Sequence, residues 1–454
     1  MMRFFRRLIA LLLASVLVAQ PVLAQSILRD AETESLLHDM SLSMIKAAGL
    51  DPKNVHVVVV NDQEINAFAT QGQDVYLNAG LIMAAKNANE VQGVIAHELG
   101  HVAAGDVLRG SEGAKKATGI MLLSMLLGAV AMAAGGGEAG AGIFAMGQQA
   151  ALGKFIAFTR VQEAGADESA RRFMRDAGVS GKGMIGFFKT LQNQEYRLRL
   201  NSSDDGFGND HPVTSDRIAV LMETLPGDPA WNTATPADIE TRFQRVKAKL
   251  SGFILEPKQT LYRFPLTDNS VPARLARAYA YHRGAYPERA ITETDALLAT
   301  NPHDPYFLEI KGQILLESGK PKEAIPILRE AVNRTSYNPL IAALFGHALI
   351  ESGDKANYAE AKTVLKNAIQ RDRENPFAWY QLGVIYTQEG DQARAALASA
   401  ERSVLELQYG AAMRNAEMAM KGLPPGSADY LRAQDISMTS RTEWDKDKKN
   451  RKRG

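Results

Sequence analysis

The sequence predicts a mainly α-helical chain in two parts: an α+β domain whose small sheet lies near its start, then an all-helical repeat array. Three observations predict it. β-branched and alternating segments are confined to residues 55–77, helical apolar spacing dominates after Gly80, and small residues recur every 34 positions beyond Val271. The 454 residues are about three times the length of a typical ~150-residue domain, which is enough for two or three cores. Hydrophobic residues at 46% and charged residues at 23% are ordinary globular values, which excludes wholesale disorder and a polytopic membrane protein. Lys+Arg 52 against Asp+Glu 51 leaves a net charge of +1, so there is no basic field to draw nucleic acid. Cysteine is absent, which excludes disulfides, thiol catalysis and Cys-ligated metal and leaves His and carboxylates as ligands.

The amino terminus reads as an export signal. Arg3, Arg6 and Arg7 precede an apolar run from Leu8 to Ala19, and Val22-Leu23-Ala24 follow Pro21. This order of positive, apolar and small residues predicts a signal peptide over 1–24, cleaved after Ala24, on a run too short to span a bilayer. The expected destination is an exported, periplasmic compartment.

Residues 25–250 form the first predicted domain. Leu36, Leu37, Met40, Met44 and Ile45 share a helical face that ends at Gly49 and Pro52. Val55 to Val60 is a β-branched run, and the pair Ala67–Thr70 and Asp74–Leu77 flanks a tight turn at Gln71-Gly72-Gln73, predicting a hairpin on a small sheet. Ile120 to Ala134 is the most apolar internal stretch. It is shorter than a span and predicts a buried or membrane-touching helix, with peripheral membrane contact through 120–134. Helical spacing lapses between Leu250 and Ser270, where Pro257 and Pro265 fall, predicting a linker over 251–270. Beyond it Ala278, Gly312 and Gly346 are 34 apart, Gly383 follows after 37, and Gly319, Gly353 and Gly390 keep the same register. Ala290, Ala324 and Ala361 mark the second helices, and an insertion near Asp354 to Tyr358 accounts for the longer step. A 34-residue period with small residues at helix crossings is the tetratricopeptide pattern, expected over 271–436. The Lys- and Arg-rich end, 437–454, is expected to be a solvated, disordered tail.

The chemistry is concentrated in Glu90 to Val102, which contains His97-Glu98-Leu99-Gly100-His101. Two histidines four apart on a helix present both imidazoles from one face, where they can grip one ion. Glu98 beside the first ligand is placed to take a proton from a water and return it to a leaving amine. Val94, Ile95, Ala96, Leu99 and Val102 are apolar, so the helix is expected to be buried and its ligands fixed. A catalytic zinc takes three protein ligands, and the best third candidate is Glu163 in Val161-Gln162-Glu163-Ala164-Gly165-Ala166-Asp167. Small Ala164, Gly165, Ala166 and Ala170 are expected to let this helix pack against the His97 helix. Asp167, one turn on, either holds a ligand histidine's second nitrogen or forms an ordinary salt bridge, for instance with Arg160. His38, His56, His282, His303 and His347 read as structural or surface residues.

These residues resemble the HtpX/CAAX-prenyl-protease family of zinc metallopeptidases, in which His-Glu-x-x-His is followed by Glu-x-x-x-Asp on a later helix. Asn66-Ala67-Phe68-Ala69 and Val75-Tyr76-Leu77-Asn78-Ala79-Gly80-Leu81 resemble the strand pair before the active helix, and His211-Pro212 through Arg217 resembles a His-Pro-x-x-x-x-Arg element. The resemblance implies a zincin-type metallopeptidase domain with one Zn2+ per chain, held by His97, His101 and Glu163, with Glu98 as general base and Asp167 behind the ligands. In similar periplasmic members with carboxy-terminal repeats, the histidine equivalent to His211 occupies the metal's fourth position, which implies a latch. A transition-state donor is the other reading of His211. Arg217 would position that loop, bind substrate backbone, or be an ordinary surface arginine. An extended substrate is expected to pair with a strand edge at Ala67–Thr70 or Val75–Leu77.

The implied function is a periplasmic zinc endopeptidase and chaperone-like factor of a Gram-negative bacterium. Its expected partners are unfolded or misassembled outer-membrane β-barrel proteins and their assembly machinery. Two alternatives stay open: a non-proteolytic scaffold with a structural zinc site that His211 closes, and a membrane-embedded peptidase.

Overall fold

A computed structural model of the chain describes residues 27–70, 72–106, 118, 120–127, 137–199 and 215–453. The described residues fall into two units that meet between Ile254 and Leu255. The expected mainly α architecture, an α+β unit with a four-stranded sheet followed by a helical array, is what they adopt.

In the first unit β1 (Ile27–Leu28) leads to α1 (Ala31–Ala47), β2 (Val57–Val60), β3 (Ala67–Ala69) and β4 (Val75–Asn78). The sheet order is β1-β2-β4-β3. β4 pairs with β3 antiparallel, Ala67 opposite Leu77, and with β2 parallel, Val57 opposite Val75. Val75–Leu77 is therefore an inner strand, and the expectation that it offers an edge is corrected: a parallel partner covers it, which leaves β3 as the outer strand. Asn66 accepts from the Asn78 N–H and Thr70 donates to Asp74 across the hairpin. Because such pairs alternate along an antiparallel ladder, the peptide groups of Ala67 and Ala69 turn to the outer side.

Next come α2 (Ala79–Ala84) and α3 (Ala88–Ala104). The Asn87 side chain caps α3 by accepting from the Glu90 N–H, and Gly105 ends it at φ +69°, a left-handed conformation that favours glycine. Fourteen successive residues of α3, from Ala88 to His101, are buried. It lies between α4 (Gly137–Asp176) and α5 (Lys182–Arg199). Contact with α4 is close because Gly100 lacks a Cβ; one added there would lie 2.7 Å from the Ala166 carbonyl oxygen. Of the four small residues expected at this crossing, Ala166 and Ala170 are buried in it, whereas Ala164 and Gly165 face outward. α6 (Ser215–Thr224) and α7 (Ala237–Ile254) complete the unit, α7 bonding back to the α1 region through Arg245–Glu32 and Lys249–Asp30 ion pairs. A further helical stretch lies at 120–127, and among the described residues no helix is long and apolar enough to cross a membrane.

The second unit opens with α8 (Pro257–Arg263). Helical spacing was expected to lapse here, yet the segment is ordered, because the Arg277 guanidinium donates to the carbonyls of Pro265 and Asp268 and to the Glu293 carboxylate. Helix pairs follow: α9 (Val271–Arg283) and α10 (Pro287–Thr300), α11 (Pro305–Glu317) and α12 (Pro321–Arg334), α13 (Pro339–Glu351) and α14 (Tyr358–Arg371), α15 (Pro376–Gln388) and α16 (Gln392–Leu405). The recurring glycines sit where the periodicity implied. A Cβ at Gly312 would lie 2.4 Å from Leu328, and one at Gly346 would lie 2.7 Å from Leu365. The insertion forms a 3-10 turn at Lys355–Asn357. α17 (Tyr409–Gly422) and α18 (Ala428–Arg453) close the array. The expectation of a disordered tail over 437–454 is corrected over its described residues: α18 continues through them to Arg453. Its Ala433 and Ile436 enter the core of α16 and α17, and the Trp444 ring lies over Gly410.

The α3–α4 crossing separates two substitutions of similar chemistry. Gly100→Ala forces the helices apart and is expected to cost about 1–3 kcal/mol. Gly165→Ala meets nothing within 4 Å and is expected to be neutral or to stabilise by up to about 1 kcal/mol. Denaturant midpoints of the first-unit transition check both.

Candidate metal centre

α3 and α4 bring three sequence-predicted residues to one point. The His97 and His101 Nε2 atoms are 3.2 Å apart, and the Glu163 carboxylate lies 3.3 Å from the first and 3.5 Å from the second. All three residues are buried, His97 completely. Among the described residues they form a cluster that could hold a metal ion. Their donor atoms converge because His97 and His101 are one turn apart on α3 while Glu163 comes from the helix packed across Gly100.

The other imidazole nitrogens are taken up by carboxylates. His97 Nδ1 is 3.0 Å from Asp167, and His101 Nδ1 is 3.0 Å from Asp106. A carboxylate that accepts from Nδ1–H leaves the Nε2 lone pair facing the centre, the tautomer a metal requires. Two Nε2 atoms 3.2 Å apart, each within 3.5 Å of one of the two Glu163 carboxylate oxygens, thus fit a divalent ion.

Arg217, on α6, holds the acids. Its Nε and one terminal nitrogen donate to both Asp167 oxygens at 2.8 Å, and its other terminal nitrogen reaches Glu163 at 2.8 Å. The guanidinium also lies over the Phe188 ring, 5.0 Å from its centroid, and the same ring stands edge-on to His97 at 5.9 Å. Of the open readings, this places Asp167 on His97 and Arg217 together, and removes Arg217 from the surface. Glu98 lies between the two ligands on α3, with no part of its side chain accessible to water.

Burial alone pushes an imidazole's pKa down. At His101 the Asp106 and Glu163 carboxylates outweigh burial and raise it to about 10. At His97 burial is likewise outweighed, by Asp167 and Glu163, and the shift is upward. Asp167 moves the other way: burial raises its pKa, but Arg217 and His97 prevail and hold it below the usual carboxylate range.

Two residues here carry no mark in the sequence reading. Asp106 reaches His101 because the left-handed turn at Gly105 folds the chain back, so a His-x-x-x-Gly-Asp spacing is the signal that finds it. Phe188 leaves no local signal, since only the docking of α5 brings it to His97. His211 lies outside the described residues.

Residues 31–225 match the profile described as Peptidase family M48, and residues 273–339 and 346–412 match the tetratricopeptide repeat. The chain is 24% identical to the β-barrel assembly-enhancing protease of Escherichia coli K12 over 339 residues, covering 72% of this chain and 67% of that protein. It is 30% identical to the metalloprotease LoiP of the same organism over 180 residues, 39% of this chain and 64% of LoiP. The metalloprotease YcaL of that organism matches at 26% over 38% of this chain and 63% of its own length.

Asp167→Asn is expected to weaken divalent-metal affinity about 10–100-fold, read by chelator competition. The raised histidine pKa values fix the sign with pH. In the metal-free chain their contribution to stability is complete below about pH 6.5 and is lost as pH rises towards 10. Metal competes with those protons, so affinity is expected to rise over the same range, with protons released on binding. Calorimetry in buffers of different ionisation enthalpy measures that release.

Proposed function

We propose that this chain, in which a Peptidase family M48 domain is joined to a tetratricopeptide array, is a periplasmic zinc endopeptidase acting on unfolded or misassembled outer-membrane β-barrel proteins. The observation that carries the chemistry is the convergence of His97, His101 and Glu163. One Zn2+ per chain, held by these three, would supply a Lewis acid that polarises the scissile carbonyl and activates water near neutral pH.

The chain's own residues do the rest. Glu98 takes the proton of the attacking water and hands it to the leaving amine nitrogen as the peptide bond breaks, so that the carboxylate is regenerated each turnover. Asp167 and Asp106 keep the two imidazoles in the ligating tautomer, and Arg217 holds Asp167 and Glu163 in place. The outer edge of β3, where the Ala69 peptide group is turned outward and the Ala67 N–H is held by the Asn66 side chain, suits an extended polypeptide that pairs through its backbone and is read with little regard to side chain. Unfolded barrel strands are substrates of that kind.

The name of the E. coli relative, a β-barrel assembly-enhancing protease, supports the client class, and its match extends over 72% of this chain. The array supplies a second contact, chaperone-like in that it holds clients without cutting them. A cavity of about 460 Å³ opens between α15, α16 and α17, lined among others by Tyr380, Val384, Arg402 and Asn415. Linkage of two weak contacts raises the effective concentration of a client at the cleft. The signal-like segment over 1–24 accounts for export.

His211 is read as a latch. In the sequence it precedes Arg217 by six residues, and Arg217 is anchored to Glu163 and Asp167. Its imidazole in the metal's fourth position would exclude water until a client draws the segment away.

Cleavage of a purified, unfolded outer-membrane β-barrel tests this reading. Glu98→Gln is expected to lower kcat by about 10²–10⁴ while metal content is unchanged, and His211→Ala is expected to cleave faster than the parent. Equal turnover by Glu98→Gln refutes its role as base. Slower turnover by His211→Ala makes that residue a transition-state donor instead of a latch.

A further inference from the structure

The helical stretch 120–127 takes no part in the metal centre or in the core. Its buried side chain is Ser124, which meets Gly147 of α4 so closely that a Cβ there would lie 1.9 Å from the Ser124 Cβ. Around that crossing Met121, Leu122, Leu123, Met125, Leu126 and Leu127 are 36–63% exposed. On α4 beside them, Met146 and Leu152 are 72% and 59% exposed. Isolated surface leucines are normal, but eight exposed large apolar side chains around one helix crossing mark a binding surface.

Charge is absent from 120–127 and from 142–152, and returns on α4 as two exposed basic residues, Lys154 and Arg160. We propose that this face docks into a lipid leaflet carrying anionic headgroups, with Lys154 and Arg160 at headgroup level. Three features favour lipid. Past Leu152 the next charged residues of α4 are the exposed Lys154 and Arg160, which complement anionic headgroups and whose long side chains can reach them from an apolar surround. The reach is that of one leaflet. Ser124 lies beside Gly147, seven residues or about 10 Å along α4 from Lys154, within the ~15 Å half-thickness of a bilayer core, and no described helix is a span. Finally, the exposed side chains are Leu and Met, which offer an unfolded polypeptide no hydrogen-bonding side chain, whereas acyl chains require none.

The same helix carries Glu163 of the candidate metal centre. Glu163 follows Lys154 by nine residues, about 13 Å along α4. Docking therefore sets the cleft close to the headgroups and selects polypeptide segments that emerge at a lipid surface. This narrows the substrate class proposed above, but lipid docking is measured without cleavage, so the two readings fail separately.

Flotation of the full-length mature protein with phosphatidylethanolamine vesicles, with and without phosphatidylglycerol, tests the inference. The parent is expected to float with the anionic vesicles. The triple variant Leu122→Ser/Leu126→Ser/Leu127→Ser, altered only at exposed positions, is expected to lose at least about tenfold in partitioning, with helix content and metal binding unchanged. Lys154→Glu is expected to lose about tenfold on anionic vesicles alone. Failure of the parent to float, or flotation of the triple variant like the parent, overturns lipid docking. If instead the triple variant loses retention of an unfolded polypeptide while no form floats, the face is a client surface.

Discussion

The pairing of Arg217 with Asp167 and Glu163 is the interaction on which the metal centre depends. Four acids, Glu98, Asp106, Glu163 and Asp167, sit around two imidazoles in a site almost closed to water. Carboxylates that close repel one another and are costly to desolvate, and the usual result is that some of them take up protons. A neutral Asp167 would lose its hold on His97. Arg217 opposes this with a bidentate contact that helps hold the Asp167 pKa below the usual carboxylate range, and it makes a single contact to Glu163. Its planar guanidinium also lies over Phe188, so the cation is packed as well as paired, a combination lysine cannot reproduce.

The second requirement is steric. Ligands from two helices share one ion only if the helix axes approach closely, and Gly100 sets that distance at a position between the two histidines. Packing and chemistry are joined at this residue: the glycine that lets α4 approach α3 lies one residue before the ligand His101. The burial of fourteen consecutive residues of α3 then holds both imidazoles in fixed rotamers, the preorganisation a metal site needs.

How much of this could be read beforehand follows from how local each signal is. Both histidines, Glu98 and the repeat glycines announce themselves through spacing within one helix or one helix pair, and the structure puts the two histidines and the glycines where that spacing implies. Glu163 was readable as the candidate to join the histidines, a carboxylate flanked by small residues, and it does converge on them. The face of α4 was not: Ala164 and Gly165 read as part of the crossing, yet helix phase turns them outward. Residues recruited from elsewhere in the fold were hardest to see. Phe188 enters through the docking of α5, and Arg217 could have been a surface residue on sequence alone. The order of α8 and α18 was missed for the same reason, because Arg277 and the Ala433, Ile436 and Trp444 contacts are tertiary and override a weak local pattern.

The contact between Asp167 and Arg217 spans fifty residues of chain, and it works as a clasp whose two halves sit on helices. Once a loop is closed by such a clasp, its length matters little: doubling it costs only about 0.6 kcal/mol in closure entropy. The strength of the clasp therefore depends little on how many residues separate its two halves, and is set by the two helices that carry them and by its bidentate geometry.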